Sequence, residues 1–356
     1  MEKAMKAKKK IALKIIASAL AILMFLSLYY LAYVGMGFFR FQDKASFTTH
    51  GQGGAKAAIG QKYTLLTYNI GFGAYNEDTV EKEYMEASDK TLVMESMDYV
   101  VNLINATNPC FVFLQEVDTD STRSCYIDQP QIIADGIRGY DRGMAPDYET
   151  SYLLYPLNNP IGKNYSGTVI FSKCNIDNFI RRSLPIDGRF ASASYLDRGY
   201  SVSRVSTDIG NELILYNFHL SPYKSGSTID DEQLEMLLED MKTEYDKGNY
   251  VIAAGDFSKD LLGDSSGFFV CGDGEYDWAK PIKTELFPEC LKLYAPTNAP
   301  SRRSADRPYK GDGSDFVAVT DGIIASDNIE VVSSQTIDTG FAYSDHNPVK
   351  FEIILK

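Results

Sequence analysis

Residues 15–34 read IIASALAILMFLSLYYLAYV, twenty consecutive positions without a charge. As a helix, such a run spans about 30 Å, the thickness of a bilayer's hydrocarbon core. No polar face runs along it, which argues against a helix of a soluble domain. Lys3, Lys6, Lys8, Lys9, Lys10 and Lys14 precede it. That basic flank places the N-terminus on the cytoplasmic side and the rest of the chain outside. A cleaved signal peptide is the competing reading, but its apolar region is shorter and no clear small-x-small site follows. Tyr29, Tyr30 and Tyr33 suit the far interface. The expected organisation is a basic cytoplasmic tail (1–14), a transmembrane helix (15–34), a tether (35–61) and one domain (62–356).

The tether FTTHGQGGAKAAIGQ is small and polar, and its His50 carries no signal. Beyond it there is no repeat or low-complexity tract, and 44% apolar residues suffice for a large core. Charge divides unevenly. Residues 1–40 hold seven of the 35 basic residues and one of the 48 acidic ones, which leaves a net −19 on the remainder. Such a surface repels polyanions and argues against sequence-independent nucleic-acid binding. It does not exclude a small phosphate ester reached through a bound cation. The five cysteines are scattered without a CxxC, which disfavours zinc, and their odd number leaves at least one free thiol. No G-x-S-x-G occurs, so a serine hydrolase is rejected.

Several short apolar runs have the character of buried strands, and each ends on groups foreign to a core. YTLLTYNI delivers Asn69, CFVFLQEVD delivers Gln115 and Glu116, and ELILYNFHL delivers Asn217 and His219. NYVIAAGDFS ends on Asp256 and Ser258, DFVAVTDGIIAS carries Asp321 amid apolar residues, and SDHNPVKFEI opens on Asp345 and His346. Helical spacing is expected from Thr91 to Asn108, and again from a cap at Thr228 to Gly248. One polar strand end is an ordinary turn. Six of them, with two of the chain's three histidines, point to one site at one end of a sheet. An unpaired carboxylate inside a strand is costly, which singles out Asp321. Carboxylates with amides and imidazoles suit a hard cation and a phosphate ester. Ser301-Arg302-Arg303 reads as a solvated loop in preference to a contact for a distal phosphate.

The ordered set LLTYNIG, FLQEVD, SGTVIFSK, YNFHLS, AAGDFS, TDGIIAS and SDHNPV resembles the endonuclease/exonuclease/phosphatase superfamily, which includes DNase I-like nucleases, inositol phosphatases and sphingomyelinases. The resemblance implies a four-layer α/β sandwich, two mixed sheets face to face with helices outside. It also implies a Mg²⁺ site, with Mn²⁺ as substitute, at Glu116 with Asn69 and Asp345. His219, Asp256, Asp321 and His346 would be the catalytic set, Asp321 orienting His346. Asn69, Asn217 and Ser258 would contact the phosphate, Ser258 standing where the family usually has asparagine. The implied activity is phosphate-ester hydrolysis, on a lipid headgroup by preference because of the anchor, with DNA as the alternative. A non-catalytic binding protein on the same fold is the reading from another class.

A reporter fused after Lys356 is expected to be active only outside the cytoplasm, on a protein that keeps its N-terminus. A soluble product starting near residue 40 would replace the anchor with a signal peptide.

Overall fold

The computed structural model describes residues 1–37, 40–51, 53–80, 89–154, 156–186, 196–272 and 278–356. The chain divides into two compact units, Met1–Arg40 and Phe41–Lys356. The first is a single helix, α1 (Glu2–Gly37), which runs past the apolar stretch at both ends. Its segment Met5–Met36 is long and apolar enough to cross a membrane, with no buried surface.

The second unit begins with β1 (Ala45–Ser46), β2 (His50–Gly51), β3 (Lys62–Asn69), α2 (Lys90–Thr107), β4 (Phe111–Thr119) and α3 (Gln129–Gly136). It continues with β5 (Asp141–Leu153), β6 (Gly162–Ser172), β7 (Asn178–Ser183), β8 (Gly199–Ser206), β9 (Glu212–His219), α4 (Ile229–Asp246) and β10 (Tyr250–Asp256). The last strands are β11 (Leu291–Tyr294), β12 (Arg302–Arg303), β13 (Val317–Ala318), β14 (Asp321–Ser326), β15 (Ile329–Thr336) and β16 (Val349–Leu355). One seven-stranded sheet runs β1-β7-β8-β9-β10-β14-β11, the other β15-β16-β3-β4-β6-β5-β2, and β12-β13 form a small ribbon. Both large sheets are mixed: β9 and β10 are parallel, as are β3 and β4, among antiparallel neighbours.

The period-two alternation of the strands builds the layers. Leu213 and Leu215 of β9 join Ile252, Phe111, Phe113 and Phe351 in the core between the sheets. The intervening Ile214 and Tyr216 pack outward against Leu234, Leu237, Leu238 and Met241 of α4. On the opposite side, Met97, Val100 and Ile104 of α2 cover Leu66, Val112 and Leu114. The result is the four-layer α/β sandwich. Helix α2 starts where Asp89 accepts from the Thr91 N–H and stops at Asn108, whose φ of 48° is left-handed. Thr228 precedes α4 but caps no backbone N–H; its hydroxyl donates to Glu232.

Two features differ from the sequence reading. Residues assigned to the tether pair with both sheets, β1 with β7 and β2 with β5, while the Ala57 N–H donates to the Ser206 carbonyl. Edge strands leave backbone groups unpaired, and this segment covers them. Asn217 is the second. Its Nδ2 donates to the carbonyls of Leu114 (3.1 Å) and Val169 (2.9 Å), and its Oδ1 accepts from Gln115 Nε2 (2.7 Å). It is fully buried, so this amide has no donor left for a phosphate, and its expected role is replaced by a bridge between the sheets.

Asn217→Ala strips two buried carbonyls of their donor, which should cost about 3 kcal/mol of unfolding free energy in urea. A loss below about 1 kcal/mol would mean that the bridge does not hold the sheets together.

Candidate active site

Strand register brings the polar ends together. Parallel pairing sets Asp256 opposite His219, and antiparallel pairing sets Asp256 opposite Asp321, so three adjacent strands of one sheet end on these residues. The other sheet contributes Asn69 at the end of β3 and Glu116 from β4. The pairing of β4 with β6 shifts between Leu114 and Val117, so Gln115 and Glu116 together oppose one residue, a β-bulge. Glu116 sits there at φ 53°, a left-handed backbone unusual for glutamate, with its side chain 28% exposed. Gly255 allows β10 to approach β9: a Cβ there would lie 2.0 Å from the Phe218 carbonyl oxygen.

Asp256 is the hub. Its Oδ2 accepts from Asn69 Nδ2 (3.2 Å) and lies 3.4 Å from His219 Nε2, 3.5 Å from His346 Nε2 and 3.8 Å from Arg302 Nη1. Its Oδ1 accepts from the Ser258 N–H at 2.7 Å. Asn69 Nδ2 also lies 3.1 Å from Glu116 Oε1, which is 3.8 Å from His219 Nδ1. His346 Nδ1 meets Asp321 Oδ2 at 2.8 Å, and that oxygen also accepts from Ser301 Oγ (2.7 Å) and Thr320 Oγ1 (3.1 Å). Ser344 Oγ donates to the Asn69 carbonyl at 2.8 Å, tying the Asp345-His346 turn to the end of β3.

Residues 66–346 match the family model described as the Endonuclease/Exonuclease/phosphatase family. The chain belongs to the endonuclease/exonuclease/phosphatase family. Solved structures share the fold. One is an endonuclease/exonuclease/phosphatase from Beutenbergia cavernae, 17% identical, covering 83% of this chain and 72% of that one, with a TM-score of 0.56. Another is the family protein from Bacteroides vulgatus, 16% identical over 83% of this chain and all of its own, at 0.53. A third is D. rerio TDP2 complexed with single strand DNA product, 14% identical over 82% of this chain and 99% of its own, at 0.51. No curated protein matches the sequence.

Family enzymes commonly use divalent metals, and this site holds donors that fit one. Glu116, the partly exposed member, and Asp345 carry carboxylate oxygens of the kind a hard cation takes. Asn69 turns Nδ2 toward Glu116 and Asp256, and its Oδ1 accepts from the Gly71 N–H at 3.1 Å. Among the described residues, Asp256, Asp321 and His346 also place ligand atoms within 4.8 Å of one another. That second group suits a cation less well, because its imidazole is held protonated. Burial alone would lower the His346 pKa, but the Asp321 and Asp256 carboxylates outweigh it and raise it to about 9. His219 goes the other way: burial, reinforced by the Arg198 charge, drives it well below 6.5 and keeps it neutral. Burial opposes the ionised form of Asp256, yet His346 and Arg302 hold its carboxyl far below the usual carboxylate range.

Of the residues expected from sequence, Asn69, Glu116, His219, Asp256, Asp321, Asp345 and His346 converge. Asn217 lies behind them between the sheets. The Ser258 hydroxyl donates to the Leu220 carbonyl at 3.0 Å, so its proton is engaged with the backbone, while its N–H orients Asp256. The solvated-loop reading of Ser301-Arg302-Arg303 is corrected. Ser301 and Arg303 are buried, the Arg303 N–H donates to the Asp345 carbonyl, and the Asn347 N–H donates to the Ser301 carbonyl. Two adjacent arginines in a polar run read as solvent-facing because nothing local shows a carboxylate cluster above them.

The raised pKa of His346 makes a pH prediction for the metal-free protein. A folded-state value near 9 against 6.5 unfolded contributes stability that is complete below 6.5 and lost as pH rises toward 9. Urea midpoints measured in a chelator should fall across that window, and His346→Gln should flatten the fall. An equal fall in the variant would place its origin elsewhere.

Proposed function

We propose that the chain is an extracytoplasmic, membrane-anchored phosphoesterase that depends on Mg²⁺, with Mn²⁺ able to replace it. The observation that carries this reading is the Asp256 oxygen, faced at once by Asn69, His219, His346 and Arg302. Glu116 would hold the cation with Asp345, Asn69 standing beside them with Nδ2 toward Glu116, and the cation, when bound, withdraws charge from the phosphoryl oxygens. Asp256 orients the attacking water through Oδ2; a carboxylate so strongly held ionised is a better acceptor than proton abstractor. His346, protonated and fixed by Asp321, donates to a phosphoryl oxygen from Nε2. Neutral His219, its Nε2 3.4 Å from Asp256 Oδ2, would take the proton of the attacking water and pass it to the leaving oxygen. Ser301 and Thr320 hold Asp321, and Ser344 holds the turn that carries His346.

The anchor favours a substrate at the bilayer, so a phospholipid headgroup is the preferred ester. Nucleic acid is a second reading, favoured by the similarity to a TDP2 with DNA product and opposed by the net −19 beyond residue 40. The Ser258 departure is the support for a non-catalytic binding protein, and the complete set of acid, base and carboxylate groups opposes it.

The purified full-length protein is expected to hydrolyse phosphate esters with Mg²⁺ and not with chelator. Glu116→Gln should lose turnover and Mg²⁺ affinity together while its metal-free melting temperature stays nearly unchanged. His346→Ala should lower kcat by roughly 10²–10⁴-fold with little change in KM. Retained turnover in Glu116→Gln, with a large loss of stability, would make Glu116 structural.

A further inference from the structure

One guanidinium group at the site has two N–H donors with no acceptor. Among the described residues, Arg302 leaves both Nε and Nη1 buried without a hydrogen-bond partner, whereas Arg198 and Arg303 each leave Nε alone. Arginines that serve the fold are better satisfied: Arg303 places its other nitrogens on the carbonyls of Ser304 and Asn76. Arg123 places Nε and Nη2 on the two oxygens of Asp118, each at 2.9 Å. Arg204 reaches Glu212 and Glu244, and Arg181 donates to the Pro146 carbonyl and to Ser183. A buried unsatisfied donor costs about 1–3 kcal/mol, so unpaired guanidinium groups beside a reactive cluster mark the place of an anion.

Arg302 is held for that purpose. Its backbone bridges His346, and its guanidinium carbon lies 4.4 Å over the ring of Trp278, which packs edge-on against Phe316. Cation–π stacking fixes the plane of the group while leaving its N–H edge open. Nη1 stops 3.8 Å from Asp256 Oδ2, an ionic separation too long for a hydrogen bond.

Phosphate chemistry then separates two substrate types. A diester has two non-bridging oxygens and one negative charge, which the cation and His346 suffice to engage. A terminal monoester adds a third oxygen and approaches a second charge near neutral pH. Planar guanidinium forks are the groups that best take such oxygens. We propose that Arg302 clamps a terminal phosphomonoester, on a lipid headgroup or a small soluble ester, and selects it over a diester. The clamp deepens the phosphoesterase reading and rests on it for the site's location.

The test reads binding before turnover. With full-length protein in detergent and Mg²⁺, inorganic phosphate should raise the melting temperature at a pH where it is dianionic, and dimethyl phosphate should raise it far less. Arg302→Gln should weaken phosphate binding roughly 10–100-fold, with Arg302→Lys between the two. In turnover, the same variant should lose a similar factor in kcat/KM on monoesters and much less on diesters. Vesicles of phosphatidylcholine with phosphatidic acid, set against glycerol 3-phosphate in solution, separate a lipid-borne monoester from a soluble one. Equal stabilisation of the wild type by phosphate and dimethyl phosphate would overturn the clamp, and that comparison decides even if Arg302→Gln fails to fold. Unchanged phosphate binding in a folded Arg302→Gln would overturn it too. Selective phosphate binding with no ester hydrolysed would instead sink the phosphoesterase reading and leave the clamp standing.

Discussion

The site depends on one amide buried between two sheets. Where β4 bulges at Gln115 and Glu116, ladder hydrogen bonds to β6 are interrupted, and carbonyls are left to find donors in a dry core. Asn217, reaching across from β9, donates to Leu114 on the bulged strand and to Val169 on its partner. Its carbonyl meanwhile holds the Gln115 side chain. The bulge is thereby affordable, and the bulge is what turns Glu116 out of the core and toward the cluster. The same amide ties the strand that ends in His219 to the strand that carries Glu116. With the Asn69–Asp256 hydrogen bond, it keys the two sheets at the end where the polar residues gather.

The second constraint is electrostatic. Asp256 and Asp321 are fully buried on neighbouring strands, and two such carboxylates repel unless cations or donors separate them. His346 does this: its Nδ1 faces Asp321 and its Nε2 faces Asp256, so one protonated ring serves both. Ser301 and Thr320 satisfy Asp321 further, and Asn69 and the Ser258 N–H satisfy Asp256. The arrangement keeps Asp256 ionised and His346 charged, while burial and Arg198 keep His219 neutral. Two histidines beside one carboxylate are thus pushed toward opposite protonation states, the separation that acid–base chemistry on a phosphate needs.

Much of this was legible along the chain. The strand alternation and the two amphipathic helices point to helix-covered sheets, because a half-buried element writes its period into its residues. The polar strand ends stand out for the same reason: a core strand has no local use for Asn, Glu, Asp or His. The misreadings share one cause. Asn217, Ser258 and Arg302 have side chains whose meaning depends on partners far away in sequence. Asn217 looks like a strand-end polar residue and proves to be a bridge; Arg302 looks like a solvated residue and stands over Trp278 beside Asp256.

Sequence alone therefore determined the apolar, lysine-flanked N-terminal helix, the alternation of strands and helices, and the short roster of groups able to do chemistry. These are local properties, set by period, charge and composition. Tertiary structure alone decided which of those groups meet. Register placed His219, Asp256 and Asp321 side by side, a bulge re-aimed Glu116, and the Ser301–Arg303 segment closed over the turn at His346. Hydrogen bonds and charges act over a few ångströms, and only the folded chain brings residues more than two hundred positions apart within that distance.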